Sequence, residues 1–123
     1  MKRTILMTAA LTLAATTVAA PAEAADKTIQ LKSPSGSVHA VLNWDDSVDT
    51  LCLTLKSTAG SPHASADMRL ADGSHARTLS ASPSKRKACT GNLSIPEDRL
   101  GEMRVYGSTD RWSDTSGWKP FYT

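Results

Sequence analysis

The chain contains the side-chain types of a nucleophilic hydrolase, but no pattern that would bring them together. Its three histidines are His39, His63 and His75, and serine and aspartate are both frequent. A catalytic serine needs a strained turn or an equivalent local signature, and no G-x-S-x-G or comparable motif occurs. We therefore expect three solvated or half-buried histidines and a protein that is not an enzyme.

Carboxylates cluster in two turn-like segments. Asp45, Asp46 and Asp49 fall in the first, and Asp110 and Asp114 fall in the second. Clustered carboxylates in a loop can supply the oxygen ligands that calcium requires. The spacing matches no D-x-D-x-D-G loop, and aspartate is also an ordinary turn residue because its side chain bonds the nearby backbone. We expect these carboxylates to stabilise the turns, and we predict no metal site and no cofactor. Calcium binding by Asp45, Asp46 and Asp49 is the alternative.

The aromatic residues are concentrated near the C-terminal end. Trp112, Trp118, Phe121 and Tyr122 are four of the six in the chain, and polar residues flank Trp112, which predicts that it is exposed. Exposed aromatic rings beside polar groups give a binding surface both area and directed hydrogen bonds. Residues 108–122 are the predicted contact surface, with Trp112, Trp118 and Tyr122 as binding residues. The alternative is that Trp118, Phe121 and Tyr122 close the core.

The single concentrated charge run is Lys85-Arg86-Lys87. The whole chain has a formal net charge of +2, so three neighbouring cations make a weak electrostatic footprint. The ordinary interpretation of such a run is a solvated loop. The alternative is that the three cations bind an anionic wall polymer. Nucleic acid is not expected as a partner, because phosphate binding calls for a concentrated basic face.

The two cysteines, Cys52 and Cys89, predict one disulfide, because a chain with an export signal and no other thiol has a single possible pairing. Free thiols or a metal pair are the alternatives, and neither cysteine has a histidine at ligand spacing. In the chain-entropy model a cross-link between positions 52 and 89 stabilises a domain by about 4 kcal/mol.

The N-terminal residues have the pattern of a secretory signal peptide. A basic start precedes an uncharged run over residues 4–20 and the small-residue end Ala22-Glu23-Ala24. This order predicts a signal peptide over residues 1–24 and a single secreted domain over residues 25–123, free of the membrane after cleavage. A retained anchor is disfavoured, because spanning a bilayer takes roughly 20 mostly apolar residues and threonines interrupt this shorter run.

Alternation of apolar and polar residues predicts the elements that must position these groups. The strongest example is VDTLCLTLK, residues 48–56, which predicts a central strand packed on both faces. Asp72-Gly73 between two strand-like runs predicts a hairpin. Further strands are predicted over residues 28–32, 37–43, 64–70, 75–80, 89–95 and 102–107, with a turn over 44–47, one helical turn over 96–100 and an edge strand at Pro120.

Seven or eight short strands separated by turns predict an all-β fold, a small antiparallel β-sandwich with one disulfide. Four features combine with this layout: the leader ending at Ala24, the segment VDTLC at 48–52, the segment ADGSH at 71–75, and Cys89 before the Leu93/Ile95 alternation. The chain thereby resembles small exported actinobacterial β-sandwich proteins. These generally have no assigned activity, so the resemblance implies location and fold and transfers no functional residue.

Together the patterns predict an exported, non-enzymatic binding domain whose ligand is a cell-wall glycan or a partner protein. The alternative is a proteinaceous inhibitor of an extracellular hydrolase, because a rigid disulfide-tied loop loses little entropy on docking. The loops over residues 57–63 and 81–87 are the candidates for that role.

Overall fold

The computed structural model describes residues 25–123, and the predicted signal peptide over residues 1–24 lies outside the described residues. The described residues form two antiparallel sheets and no helix, which confirms the predicted small β-sandwich. No helix that could cross a membrane is found among them. The nine strands are β1 (Lys27–Lys32), β2 (Val38–Asp45), β3 (Thr50–Leu55), β4 (His63–Leu70), β5 (Arg77–Ala81), β6 (Lys87–Cys89), β7 (Leu100–Ser108), β8 (Ser113–Thr115) and β9 (Lys119–Tyr122).

The first sheet has the order β1-β2-β3-β6, and the second has the order β5-β4-β7 with both β8 and β9 paired to β7. β8 pairs with the C-terminal end of β7, and β9 pairs with its N-terminal end. Ser116 spans the gap, because the Val105 amide donates to its hydroxyl at 3.0 Å and the Val105 carbonyl accepts from its amide at 2.9 Å. β8 and β9 thus form one interrupted edge, and Trp118 is the last residue of the interruption, directly before β9.

The core lies between the sheets and follows the predicted alternation of β3. Leu51, Leu53 and Leu55 are buried, and burial of each contributes about 1.5–3 kcal/mol. The opposite face of β3 is only half-buried at Thr50, Cys52 and Thr54. The prediction that this strand packs on both faces is therefore wrong: its outer face lies at the surface of the first sheet.

The turn predicted over residues 44–47 begins later than expected. β2 continues through Asp45, and Trp44 pairs with Leu51 across the first sheet. Its indole is fully buried and lies 5.0 Å from the ring of Phe121, centroid to centroid. The chain turns at Asp49, whose φ of 46° lies in the left-handed region, so β3 starts at Thr50 and not at Val48.

A β-bulge in β2 changes the predicted position of His39. Leu31 pairs with Ala40, but the next residue of β1, Lys32, pairs with Val38, which leaves His39 as an extra residue. Both His39 and Ala40 are buried. The prediction of a solvated or half-buried side chain is wrong for His39, because simple alternation cannot anticipate an inserted residue.

The strand predicted over residues 89–95 ends at Cys89. Gly91 and Ser94 have φ values of 76° and 52°, which no regular strand contains. Thr90 instead binds back to Leu51, since its amide donates to the Leu51 carbonyl at 2.9 Å and its hydroxyl accepts from the Leu51 amide at 3.1 Å. Ile95 is still buried, and its amide donates to the Asp49 carboxylate at 3.0 Å.

The helical turn predicted over residues 96–100 does not form either. Asp98 has a φ of 58°, and Leu100 is already the first residue of β7. The C-terminal residue fastens this segment, because the Thr123 hydroxyl donates to the Pro96 carbonyl at 2.8 Å and the Thr123 carbonyl accepts from the Asp98 amide at 2.9 Å. These long-range contacts replace the hydrogen bonds of a helical turn.

Two sequence predictions of local structure are confirmed. β4 and β5 form an antiparallel hairpin around Asp72-Gly73, and Gly73 has a φ of 86°. Cys52 and Cys89 form the disulfide and lie directly opposite each other on β3 and β6. Cys89 is exposed and Cys52 is half-buried. The disulfide therefore fastens a three-residue edge strand to its neighbour on the outer face of the first sheet.

Candidate functional site

The predicted contact surface over residues 108–122 is divided between separate parts of the molecule. Trp112 lies in the loop that follows β7, whereas Tyr122 pairs with Leu100 at the other end of that strand. The intervening length of β7 is roughly 25 Å at about 3.3 Å per residue. Trp118 lies between them, next to Arg104 on the outer face of the second sheet. The three predicted binding residues do not form one compact cluster.

Trp112 forms one wall of a cleft of about 500 Å³, which we call the Trp112 cleft. Hydroxyl and charged groups dominate the remaining lining: Ser33, Ser35, Ser37, Ser57, Thr109, Asp110 and Arg111. The indole itself is half-buried, so the predicted exposure of Trp112 is only partly right.

One side of the Trp112 cleft is the turn between β1 and β2. Gly36 has a φ of 94°, and its amide donates to the Ser33 carbonyl at 2.9 Å. The tight turn brings the Ser33 hydroxyl within 2.8 Å of the Ser35 hydroxyl and 2.9 Å of the Ser37 hydroxyl. This turn therefore presents a cluster of serine hydroxyl groups.

Two loops that are distant in sequence close the opposite side of the Trp112 cleft. The Asp110 amide donates to the Gly60 carbonyl at 2.8 Å, and the Thr109 amide donates to the Trp112 carbonyl at 2.9 Å. Gly60 has a φ of 77°, and a Cβ atom there would lie 2.9 Å from Asp110 Oδ1. The left-handed φ favours glycine at this position, and the absence of a side chain lets the two loops approach closely.

His39 holds Trp112 in place from inside the molecule. The imidazole lies edge-on to the indole, with ring centroids 4.7 Å apart and an interplanar angle of 73°. Its Nε2 lies 2.9 Å from the His63 carbonyl, and because a carbonyl can only accept, this nitrogen carries the proton. Sequence analysis missed this supporting role, since the bulge that turns His39 inward has no local signature.

Gly107 of β7 provides the space for the imidazole. A Cβ atom at that position would lie 2.5 Å from His39 Cδ2 and 2.6 Å from Leu31 Cδ2. The other imidazole nitrogen, Nδ1, is buried and has no hydrogen-bond partner among residues 25–123. His39 is therefore a packing residue, enclosed on all sides and unable to reach a ligand.

The second surface is the outer face of the second sheet around Trp118. The guanidinium carbons of Arg69 and Arg104 lie 4.2 and 4.3 Å from the centroid of the indole, within the range of cation–π attraction. Arg69 pairs with Glu102 at 2.7 Å, and Arg104 pairs with Asp67 at 3.0 Å. In both ion pairs the partners are directly opposite each other on β4 and β7.

Two grooves flank Trp118 on this face. The smaller, of about 230 Å³, includes Leu100, Glu102 and Pro120, and the larger, of about 310 Å³, includes Asp67 and Arg77 among its lining residues. The strands β7 and β9 also carry three exposed large apolar side chains: Leu100, Tyr106 and Tyr122. Of the proposed core-closing residues, Phe121 alone is buried, while Trp118 is half-buried and Tyr122 is exposed.

Two carboxylates of the first cluster, Asp45 and Asp49, have ordinary structural partners, whereas Asp46 Oδ1 is buried and has no hydrogen-bond partner among residues 25–123. Asp45 accepts from the amide and hydroxyl of Ser47, at 3.0 and 2.6 Å, and Asp49 accepts from the Ile95 amide. Over residues 25–123, no three or more His, Cys, Asp or Glu side chains are placed to hold a metal ion together.

The charge run at residues 85–87 presents two cations and not three. Arg86 donates to the carbonyls of Leu55 and Ser57 at 2.9 and 2.6 Å, so its guanidinium supports the backbone. Lys85 and Lys87 are exposed.

Comparison with family models, curated proteins and solved structures finds no match to this chain. The resemblance to small exported actinobacterial proteins therefore stays a prediction.

Proposed function

We propose that the protein is an exported, non-enzymatic domain that binds a cell-wall glycan outside the cell. The observation that carries this proposal is the Trp112 cleft, where a fixed indole faces serine hydroxyls, a carboxylate and a guanidinium. A sugar ring has an apolar face that stacks on an indole and hydroxyls that exchange hydrogen bonds with such groups. The cleft also falls in the size range of ligand sites, roughly 300–1,000 Å³.

The contact between His39 and Trp112 supports the proposal that a sugar ring stacks on the Trp112 indole. A ring that is already held before the ligand arrives loses little conformational freedom on binding. Export is part of the same proposal and is supported by the N-terminal pattern together with the Cys52–Cys89 disulfide, since disulfides persist in oxidising compartments.

A pull-down of the purified protein on insoluble wall polysaccharides tests this function. Trp112→Ala should lower retention on the bound polysaccharide about tenfold or more, because a buried stacking anchor contributes about 2 kcal/mol or more to binding. Tyr122→Ala is the matched control, because it removes an exposed aromatic ring at the other end of β7. We expect the control to bind like the parent protein.

A second variant covers the case in which Trp112→Ala disturbs folding. Arg111→Gln changes an exposed residue of the cleft whose backbone amide, and not its side chain, bonds Thr109. It should weaken retention while the unfolding midpoint stays that of the parent. If both cleft variants retain full binding, the Trp112 cleft is not the glycan site.

An inhibitor of an extracellular hydrolase is the second candidate. The loop between β5 and β6 supports it, because Ser82 and Lys85 exchange backbone hydrogen bonds at 3.0 Å and make a tight turn whose residues 83–85 are exposed. Capture of a secreted hydrolase that is lost in Lys85→Gln/Lys87→Gln and kept in Trp112→Ala would favour the inhibitor. Arg86 is left unchanged in this test, because it supports the backbone of residues 55–57.

A further inference from the structure

We propose that the larger groove beside Trp118 is a second site, which binds the carboxylate groups of an acidic polysaccharide. This groove, of about 310 Å³, lies on the outer face of the second sheet and is distinct from the Trp112 cleft in its lining residues. The inference rests on the proposed function in one respect, that the ligand is a glycan.

Positive charge exceeds negative charge in this groove. Three arginines line it, Arg69, Arg77 and Arg104, against one carboxylate, Asp67. Glu102 neutralises Arg69 from the neighbouring groove, and Asp67 neutralises Arg104. Arg77 takes part in no ion pair among residues 25–123, and its guanidinium donates only to the Ala76 carbonyl at 2.8 Å. One cation therefore remains for a ligand.

The hydrogen-bonding groups also favour an anion. Each carboxylate oxygen of Asp67 already accepts one hydrogen bond, from Arg104 Nε at 3.0 Å and from the Thr78 hydroxyl at 2.8 Å. Arg104 reaches Asp67 through Nε alone, and within the described part of the chain its terminal NH groups have no other hydrogen-bond partner. Guanidinium groups with open NH donors match the two oxygens of a carboxylate.

Trp118 favours a sugar as the carrier of that carboxylate. Its indole lines the groove beside the open donors, and the guanidinium groups of Arg69 and Arg104 lie over the ring. An acidic peptide would gain much of its affinity from backbone hydrogen bonds at a strand edge. Most of this groove lies across the face of the sheet, over β4 and β7, which are paired on both sides, and only Arg77 and Thr78 come from the edge strand β5.

The experiment compares polygalacturonate with its methyl-esterified form, two polymers with the same backbone that differ in the charge of the carboxylates. We expect the protein to bind polygalacturonate about tenfold more tightly, as one charge-assisted hydrogen-bonded pair would give. Raising the ionic strength should reduce this preference, because exposed charges are screened.

Arg77→Gln should abolish the preference and leave binding of the methyl ester unchanged. Lys32→Gln is the matched control, because it makes the same charge change at an exposed residue of β1 in the first sheet. An unchanged unfolding midpoint for both variants shows that each remains folded. We expect the Lys32→Gln variant to keep the parent's preference.

Equal affinity for the two polymers, or an equal loss of preference in both variants, would overturn the inference. Binding of polyglutamate at the affinity of polygalacturonate, lost in Arg77→Gln, would assign the groove to an acidic peptide instead. Trp112→Ala separates the two proposals, because its effect on neutral glycans tests the proposed function and is independent of Arg77.

Discussion

At the scale of single residues, Trp112 and Trp118 differ in what holds their rings. Trp112 lies against a buried imidazole, whereas Trp118 lies over two guanidinium groups that carboxylates hold in turn. An indole beside hydroxyls favours a neutral sugar, and an indole beside open guanidinium donors favours an acidic one. Two residues of the same type, six positions apart, thus give two surfaces of different chemistry.

Replacement of His39 should destabilise the fold, because its imidazole is buried and lies within hydrogen-bond distance of the His63 carbonyl. His39→Ala leaves a cavity above Gly107 and leaves the His63 carbonyl without its donor, which together should lower the free energy of unfolding by about 2–4 kcal/mol. Urea unfolding followed by tryptophan fluorescence measures the loss.

His63→Ala is the control for this measurement. It removes an exposed imidazole but keeps the backbone carbonyl that His39 binds. Its effect should stay within about 0.5 kcal/mol, as for most surface substitutions. Equal losses in the two variants would contradict the role assigned to His39.

Asp72 supplies a prediction for acidic pH. The hydroxyl of Ser74 donates to its carboxylate at 2.6 Å and the Ser74 amide donates at 2.8 Å, and these bonds, the hydroxyl first, lower the pKa of Asp72 below its ordinary value of 3.8. Because the folded pKa is the lower one, the contribution to stability is present above the ordinary value and is lost as the pH falls through the folded pKa.

Ser74→Ala should therefore raise the pKa of Asp72 towards 3.8, because it removes the first of these hydrogen bonds. An NMR titration of the Asp72 carboxyl carbon in the parent and variant proteins measures the change. A pKa that stays at the parent's value in the variant would show that the hydroxyl does not stabilise the ionised form.

At the scale of the elements, the disulfide is the main support of β6. This strand has three residues and pairs with β3 alone, so few hydrogen bonds hold it at the edge of the first sheet. The double variant Cys52→Ser/Cys89→Ser should lower the free energy of unfolding by about 4 kcal/mol, the loop-closure value for this separation. Urea unfolding of the oxidised parent and the variant measures the difference.

The covalent state of the parent is checked by intact mass. Alkylation should add two groups only after reduction, because Cys52 and Cys89 are joined and no free cysteine occurs among the described residues. Labelling without a reductant would contradict the disulfide and with it the predicted loss of stability.

At the scale of the whole molecule, the N-terminal pattern predicts the mature form. The exported protein should begin at Ala25, because the small-residue sequence Ala22-Glu23-Ala24 follows the uncharged run at the position where signal peptidase cleaves. N-terminal sequencing of the protein recovered from the medium tests this. Recovery of a chain with residues 1–24 from the membrane fraction would instead indicate a retained anchor.

Local patterns were sufficient to predict much of the architecture. Leu51, Leu53 and Leu55 are buried as their period of two predicts, and Asp72-Gly73 makes its hairpin because glycine accepts the positive φ of the turn. The pairing of Cys52 with Cys89 could be predicted because the sequence contains only two cysteines. The alternation and the hairpin depend on residues that are close together in sequence. The disulfide depends on distant residues, but only one pairing is possible.

The candidate sites depend on contacts that local patterns do not contain. The inward position of His39 results from the register of β1 against β2, and the closure of the Trp112 cleft depends on Gly60 meeting Asp110. The division of residues 108–122 between two surfaces follows from the interrupted pairing of β8 and β9 along β7. A period of two predicts which side a residue faces, but it does not say which distant strand lies opposite.

The sequence by itself therefore determined that the described chain is a two-sheet, disulfide-linked β-fold, because alternation and turn residues act over a few positions. Only the tertiary structure decided that Trp112 lies in a hydroxyl-lined cleft and that Trp118 lies among Arg69, Arg77 and Arg104. The physical reason is that pairing between distant strands fixes which side chains meet, and that pairing minimises the free energy of the whole chain and not of any one segment.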